Sequence, residues 1–459
     1  MTDLAPSISK PLKDLLGSQA AVPDKDLAWY AVEGLIPEAV VRPADRSEVA
    51  RTLAWAFSQT VTVSPRGGGT LLSLGNTPTK IDLVLELAKL DQILDFQPAD
   101  LTVTVESGIH LKNLQDTLAQ GGMYLPLEAP LAQEATVGGI LSTSASGPRR
   151  FAYGLPRDWL IGISAISADG TETKAGGKVV KNVTGYDLNR LYTGSLGTLG
   201  VIVEASFKLA PLPTHFQALI AAFDSISAAV EASELLLNQP YSPKGVQALN
   251  PTASQRLNLG VPEVHGAFVV AFFEASSGPL VERRVRECSR LLGDSKGADA
   301  YTLTGLQYSS ILNQITDLGW TEGSTPSLAM KINVPPSRVE SLVEKICSED
   351  ASAGGGENGR PGVIADIGFG TIRLFWWPEQ DSKAPDEPQE HMTLATIREV
   401  RELASAAGGS AVVERCSQTI KQQIDVWGEP PQSIEIMRRI KDKFDPSGIL
   451  NPGRFVGRL

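Results

Sequence analysis

The chain has 459 residues, 42% hydrophobic and 20% charged, the balance of an ordinary globular protein with room for two or three domains. A formal net charge of −11, with no clustered stripe of Lys and Arg, speaks against nucleic acid as a partner. Three scattered cysteines, Cys288, Cys347 and Cys416, have no C-x-x-C spacing and read as reduced thiols, with neither a disulfide frame nor a metal site expected.

Met1 to Leu16 mixes polar and apolar side chains and is read as a helical lead-in without the apolar core of a signal peptide. The best apolar run, Ala267 to Phe273, has the length of a buried strand and not of a membrane span, so a soluble, cytoplasmic protein is expected. Val40-Val41-Arg42-Pro43 leads into a helix from about Asp45 to Ser58, where Asp45 and Glu48 make a capping-box pattern ahead of the stripe Val49, Leu53 and Phe57. Strands are predicted around Val61–Val63, Leu83–Glu86 and Leu101–Val105, and a helix from Leu111 to Gln120 that stops at Gly121-Gly122. Trp159 to Ala168 reads as a strand turning at Asp169-Gly170 into a return strand through Thr171–Lys174. A further strand, Val201 to Leu209, ends at Pro211-Leu212-Pro213, which marks a boundary.

Beyond that boundary strands and helices alternate. Strands are predicted at Phe216–Phe223, Phe268–Glu274, Ser327–Val334 and Thr371–Trp377, with helices at Ile226–Leu237, Leu280–Leu292, Val339–Ile346 and Leu394–Ala407. Units of this length suggest an antiparallel sheet with helices on one face. Ala351 to Gly362 and Glu379 to Gln389 read as loops inside this second domain. The last segment, from Ser433, begins as an amphipathic helix and is expected to return to the first domain.

The most informative stretch is Pro65-Arg66-Gly67-Gly68-Gly69-Thr70, directly after a β-rich run and followed by Gly75-Asn76. Three glycines without Cβ atoms let the backbone turn sharply and aim several N–H groups at an anion; the competing reading is a solvated glycine loop. More glycine segments follow: Glu106-Ser107-Gly108, Thr136-Val137-Gly138-Gly139-Ile140, Ser146-Gly147, and Gly194 to Ile202 leading into a strand. There is no G-x-x-x-x-G-K-[ST] phosphate loop and no G-x-G-x-x-G opening a helix in a strand–turn–helix unit.

In this order, from Val40 to Pro213, these segments resemble the FAD-binding domain shared by vanillyl-alcohol oxidase and its flavoprotein relatives. The resemblance implies an α+β fold with a two-part FAD-binding domain and an antiparallel-sheet cap domain carrying helices on one face. It divides the chain into lead-in helices (residues 1–34), the FAD domain (35–214), the cap (215–419) and a returning C-terminal segment (420–459), with the flavin between FAD domain and cap. The backbone from Arg66 through Gly67, Gly68 and Gly69 to Thr70 would cradle the pyrophosphate, with Gly75 nearby. Thr136, Gly138, Gly139, Ser142, Ser146 and Gly147 would line the flavin and ribityl side, and Val201 and Ile202 would meet the adenine. For Thr136 and Ser142 the alternative is local turn capping. Relatives that attach flavin covalently use a His where Thr70 stands, and His110, His215, His265 and His391 all lie elsewhere, so non-covalent FAD is implied.

Within that family, Pro148-Arg149-Arg150-Phe151-Ala152-Tyr153-Gly154, Lys181-Asn182-Val183-Thr184-Gly185-Tyr186-Asp187 and Asn451-Pro452-Gly453-Arg454-Phe455 are similar to the FAD-binding E-type subunit of bacterial glycolate oxidase. This implies oxidation of a small 2-hydroxy acid alongside a second flavin subunit and an iron–sulfur subunit, in the cytoplasm or at a membrane through the complex. Catalytic relatives carry a histidine-rich metal site in the cap, whereas the matching stretch here reads Ser410-Ala411-Val412-Val413-Glu414-Arg415-Cys416, so no metal is expected. Arg373 and Arg415 could each hold a carboxylate and Glu414 could serve as a base; the bland alternative is an exposed strand arginine and a surface charge pair. Trp376-Trp377 reads as core or interface, and Lys178 and Lys181 could sit near the flavin or cover a loop. Two rival readings remain beside a dehydrogenase subunit: a non-catalytic or electron-relaying flavin subunit, and a stand-alone FAD-dependent dehydrogenase or oxidase for D-lactate or another alcohol.

Overall fold

Residues 8–177, 186–241, 243–261, 266–296, 299–321, 323–348, 359–378 and 387–459 are described by a computed structural model of the chain. The fold is α+β in two compact units. One comprises Met1–Ala145, Leu155–Pro211 and Glu429–Leu459; the other comprises Ser146–Gly154 and Leu212–Gly428.

The first unit holds a three-stranded parallel sheet in the order Ala39–Val41, Leu83–Glu86, Val63–Arg66. Parallel neighbours need a crossover, and the helix Arg46–Gln59 supplies it between the outer two strands. Asp45 caps that helix by accepting from the Glu48 amide at 2.9 Å, while Glu48 accepts from the Ala44 amide at 2.7 Å. Val49, Leu53 and Ala56 on the helix meet Val41, Val63, Leu83 and Leu85 in one buried cluster. The strand expected at Val61–Val63 runs instead from Val63 to Arg66, because its register is set by pairing Val63 with Leu83 and Arg66 with Glu86. Arg66 is therefore the last strand residue, and the three glycines leave the carboxyl end of a parallel strand, where open α/β sheets place their ligands.

A five-stranded antiparallel sheet completes this unit in the order Ile93–Gln97, Thr102–Glu106, Val201–Lys208, Leu160–Ile166, Glu172–Gly176. Ile93–Gln97, an exposed edge strand, was not foreseen, and the strand expected from Trp159 begins at Leu160 after a helical turn from Pro156 to Trp159. Residues 429–459 belong to the same unit. Ile449 accepts from the Val63 amide at 2.7 Å and Asn451 donates to the Val63 carbonyl at 3.0 Å, so the chain terminus lies beside the strand that feeds the glycine loop. Lys441 anchors it, with Nζ donating to Thr198 O (2.8 Å), Leu450 O (2.9 Å) and Asp445 Oδ2 (2.6 Å).

The second unit is built on an eight-stranded, wholly antiparallel sheet. Its order is Ala300–Thr304, His215–Phe223, Ala267–Ala275, Gly245–Leu249, Gly362–Asp366, Thr371–Trp376, Leu328–Asn333, Ser410–Arg415. Helices Ile226–Leu237, Gly278–Lys296, Val339–Cys347 and Glu387–Ala406 cover one face, burying residues such as Met330, Ile332, Ile372, Leu374 and Trp376. Side chains alternate across a strand, so Lys331, Thr371 and Arg373 point to the other face. There an additional helix, Gly305–Asp317, packs Tyr308, Ile311 and Ile315 against Phe272 and Ile220. Of the expected loops, residues 351–358 and 379–386 lie outside the described residues, and Glu387 already opens a helix.

Candidate functional site

The glycine loop forms one wall of a half-open cleft in the first unit, with about 900 Å³ of free space that includes open solvent at its mouth. Of the residues expected at the cofactor, Arg66, Gly67, Gly68, Gly69, Thr70, Thr136, Gly138, Gly139, Ser142, Val201 and Ile202 line it. The remaining three are not among its lining residues. Gly75 lies in a loop packed on the Arg454 carbonyl, and Ser146 and Gly147 belong to the second unit, where Gly147 O accepts from the Arg150 amide in a turn.

Two glycines have no substitute here. Gly69 takes φ +75°, and a Cβ on it would sit 2.7 Å from Arg66 Nη2. A Cβ on Gly68 would collide with the Glu134 backbone carbonyl. The strand end, the loop and the segment 134–139 are thus in close backbone contact, and the amides of Gly68, Gly69 and Thr70 take no partner within the chain among the described residues. Thr136 is wholly buried and caps the short helix Val137–Thr143, accepting from the Gly139 amide at 3.3 Å. The capping alternative for Thr136 is therefore realised at a residue that also lines the cleft.

Sequence reasoning missed the cleft's second cation. Arg454, from the C-terminal Asn-Pro-Gly-Arg-Phe stretch, lines it, and its guanidinium holds the loop after the glycines by donating to Leu72 O (2.8 Å) and to Leu74 O. Deep burial depresses its pKa to about 10, with Glu33 pulling the other way. Asn451 was missed too; its Nδ2 donates to Leu196 O at 2.7 Å. Both residues belong to the closing motif, but nothing local to them signals a loop and strand so distant along the chain. Among the described residues, Arg66 Nε, Ser107 Oγ and Asn451 Oδ1, buried polar atoms lining the cleft, have no hydrogen-bond partner. Buried polar groups are satisfied in native proteins. Unpaired amides, an arginine and unsatisfied polar atoms around a small-residue wall fit a ligand with an anionic centre and polar arms, as a dinucleotide has.

In the second unit Arg373 and Glu414 come together on the sheet face away from the four helices, Arg373 Nε lying 3.5 Å from Glu414 Oε2. Both are largely buried and do not form the surface arrangement that the bland alternative required. Glu414 sits beside the bulge in the edge strand, where the pairing of Ser410–Arg415 slips between Ala329 and Met330. Arg415 goes elsewhere and stacks on Trp320, 5.4 Å from the ring centroid. Lys331 was not foreseen. It is the direct cross-strand partner of Arg373, and burial lowers its pKa against the opposing pull of Glu414. Arg150 approaches the same face, donating to Thr371 Oγ1 at 3.4 Å and lying over the Phe369 ring. Like charges directly opposite on paired strands are destabilising, and Arg150 and Arg373 add to burial in disfavouring the charged form of Lys331, with Glu414 opposing them. Trp376 is core, Trp377 donates to Ser324 O at 3.0 Å, and Lys178 and Lys181 lie outside the described residues.

Beside these stands a buried clamp. The wholly buried Glu274 accepts from Tyr153 Oη and Tyr308 Oη, each at 2.6 Å, and pairs with Arg149, so it fastens the segment 146–154 to the sheet. No helix among the described residues is long and apolar enough to cross a membrane.

Two family patterns match the chain: an FAD binding domain over residues 37–176, and the C-terminal domain of FAD linked oxidases over residues 212–455, more than half of the chain. The chain is similar to the glycolate oxidase subunit GlcD of Bacillus subtilis (strain 168), 29% identical over 434 residues covering 92% of this chain and 90% of the relative. It is also similar to a D-lactate dehydrogenase of Archaeoglobus fulgidus, 28% identical over 429 residues, 92% of this chain and 91% of the other. Among solved structures, p-cresol methylhydroxylase with substrate bound shares the fold, with a TM-score of 0.75 over 97% of this chain and 95% of that one at 15% identity.

Proposed function

The chain belongs to the FAD-linked oxidases and is an FAD-dependent oxidoreductase; from that premise we propose that it oxidises a small 2-hydroxy acid, glycolate to glyoxylate, as the FAD-binding subunit of a glycolate oxidase type of complex. The relatives named for glycolate and D-lactate support the substrate class. The observation that carries the reading is the Lys331–Arg373 pair on facing strands, a guanidinium beside a buried amine whose protonated form an incoming substrate carboxylate would favour.

In this reading the amides of Gly67 to Thr70 and Arg66 hold the FAD pyrophosphate. Thr136, Gly138, Gly139 and Ser142 leave room for the ring and its ribityl arm, and Val201 and Ile202 meet the adenine. Thr70 offers no imidazole for a covalent link, so acid denaturation of the protein should release all of its flavin. The bound flavin supplies a two-electron acceptor for a CH–OH centre. Arg373 and Lys331 orient the acid through its carboxylate. Glu414 Oε2, buried and without a hydrogen-bond partner among the described residues, takes the hydroxyl proton. Three scattered cysteines do not make an all-cysteine iron–sulfur site, so in this reading electrons leave to a partner subunit or to a soluble acceptor.

The test is the visible spectrum of the purified protein on anaerobic addition of glycolate or D-lactate. Bleaching of the flavin band is expected, with Arg373→Met raising the half-saturating concentration about 10–100-fold, the worth of a charged hydrogen bond. A band that persists with both acids refutes turnover by this chain and favours the electron-relay reading, which the histidine-free stretch 410–416 also supports.

A further inference from the structure

We infer that Tyr30, in the 3₁₀ turn Asp24–Tyr30 ahead of the first strand, is a positioning residue for the cofactor, its ring holding the Arg66 guanidinium against the glycine loop. The inference rests on the reading of residues 66–70 as the pyrophosphate cradle.

The guanidinium carbon of Arg66 lies 4.8 Å from the centroid of the Tyr30 ring, inside the range of a cation–π contact. Arg66 Nη1 donates to the Trp29 carbonyl at 3.4 Å, so the same turn touches the arginine twice. On its other side the guanidinium borders Gly69, whose missing Cβ makes that approach possible. Arg66 is nine-tenths buried, lines the cleft and leaves Nε without a partner among the described residues.

The charges around it are divided in a way that leaves this cation to a ligand. Glu86, the register partner of Arg66 on the neighbouring strand, accepts from the Tyr30 hydroxyl at 3.1 Å and is paired with Arg42, which also donates to the Tyr30 hydroxyl. Burial and then Glu86 push the Tyr30 pKa up, so the ring stays neutral with its electron-rich face available. Arg66 makes no ion pair among the described residues, and burial lowers its pKa. A guanidinium desolvated this far, without its own carboxylate, is costly unless an anion arrives. The aromatic face holds it in place without neutralising it, and Glu86 with Arg42 fixes the ring. The segment before the first strand, which sequence reading assigned to a lead-in, thereby becomes part of the cofactor site.

The experiment is a double-mutant cycle on the full chain stripped of flavin, read as the FAD dissociation constant from quenching of flavin fluorescence. Circular dichroism melts of each apoprotein check that the variants fold. Arg66→Met is expected to weaken FAD about 10–100-fold. Tyr30→Leu should weaken it about tenfold, while in the Arg66→Met background it should add nothing, and Tyr30→Phe, which keeps the ring, should recover most of the affinity that Tyr30→Leu loses. If Tyr30→Leu does not fold, Tyr30→Met carries the same comparison. An equal loss in both backgrounds, a Phe variant as weak as the Leu variant, or no loss at Tyr30 while Arg66→Met binds weakly would overturn the inference alone. An Arg66→Met protein with unchanged affinity would overturn the cradle reading and the inference with it.

Discussion

Replacing Gly68 by alanine adds one carbon, and the local packing dictates where it goes. The new Cβ would overlap the Glu134 carbonyl oxygen, with the carbonyl carbon at 2.7 Å and Ala135 Cα at 3.5 Å. These are backbone atoms and cannot rotate away. The Glu134 and Ala135 amides both donate to Leu131 O (2.9 and 2.8 Å), Ala135 O accepts from the Leu111 amide at 2.9 Å, and Glu134 O meets His110 Nδ1 at 3.0 Å. The glycine loop must then retreat by about 1 Å, costing about 1–3 kcal/mol of stability as overpacking does. Two amides would leave the pyrophosphate, and at about 1.5 kcal/mol for each charge-assisted bond the loss is ~3 kcal/mol, roughly 100-fold in FAD affinity. The assay is the flavin-to-protein absorbance ratio of the purified chain, with FAD titration of the stripped protein. Gly293→Ala, on a helix with open space around the position, is the control and should retain its flavin. A Gly68→Ala protein with full flavin content and wild-type affinity would remove this loop from the cofactor site.

Glu274→Gln should destabilise the second unit by about 3 kcal/mol in urea unfolding, because it leaves the buried Arg149 guanidinium facing a neutral amide; a change below about 1 kcal/mol would show that the clamp is not holding segment 146–154. At Asp82, burial raises the carboxyl pKa, but the Lys80 pair at 2.7 Å and the bonds from Thr62 N (2.9 Å) and Oγ1 (2.8 Å) more than reverse it, to below the usual 3.8. A depressed carboxylate stabilises above its unfolded-state pKa and loses that contribution as pH falls through the folded-state value. Asp82→Asn should therefore be about 1 kcal/mol less stable at neutral pH, with the two proteins converging below pH 3.8; a gap that stays constant into acid would contradict the assignment.

Elements that carry their own local chemistry are legible in the amino-acid sequence. The Asp45–Glu48 cap places the helix Arg46–Gln59, and Asp169-Gly170 places the hairpin that joins Leu160–Ile166 to Glu172–Gly176. Other strands without such marks were not seen. Ile93–Gln97, Gly245–Leu249, Ala300–Thr304, Gly362–Asp366 and Ser410–Arg415 become strands because a partner in the sheet takes up their backbone groups. The helix Gly305–Asp317 escaped for a related reason, since its buried side chains meet the far face of the sheet and its start has no side-chain cap.

The candidate site divides in the same way. The glycine cradle was readable by itself, because a backbone that must turn sharply and approach another backbone can be built only from residues without a Cβ, and that demand is written in consecutive positions. Arg454 beneath the loop, Tyr30 behind Arg66 and Lys331 opposite Arg373 were not readable. Each is an ordinary residue in its own neighbourhood and acquires a role from strand register or from a contact between distant segments. Tertiary structure alone decided these, since burial, not residue type, turns an arginine, a tyrosine ring or a lysine into a fixed charge or its support.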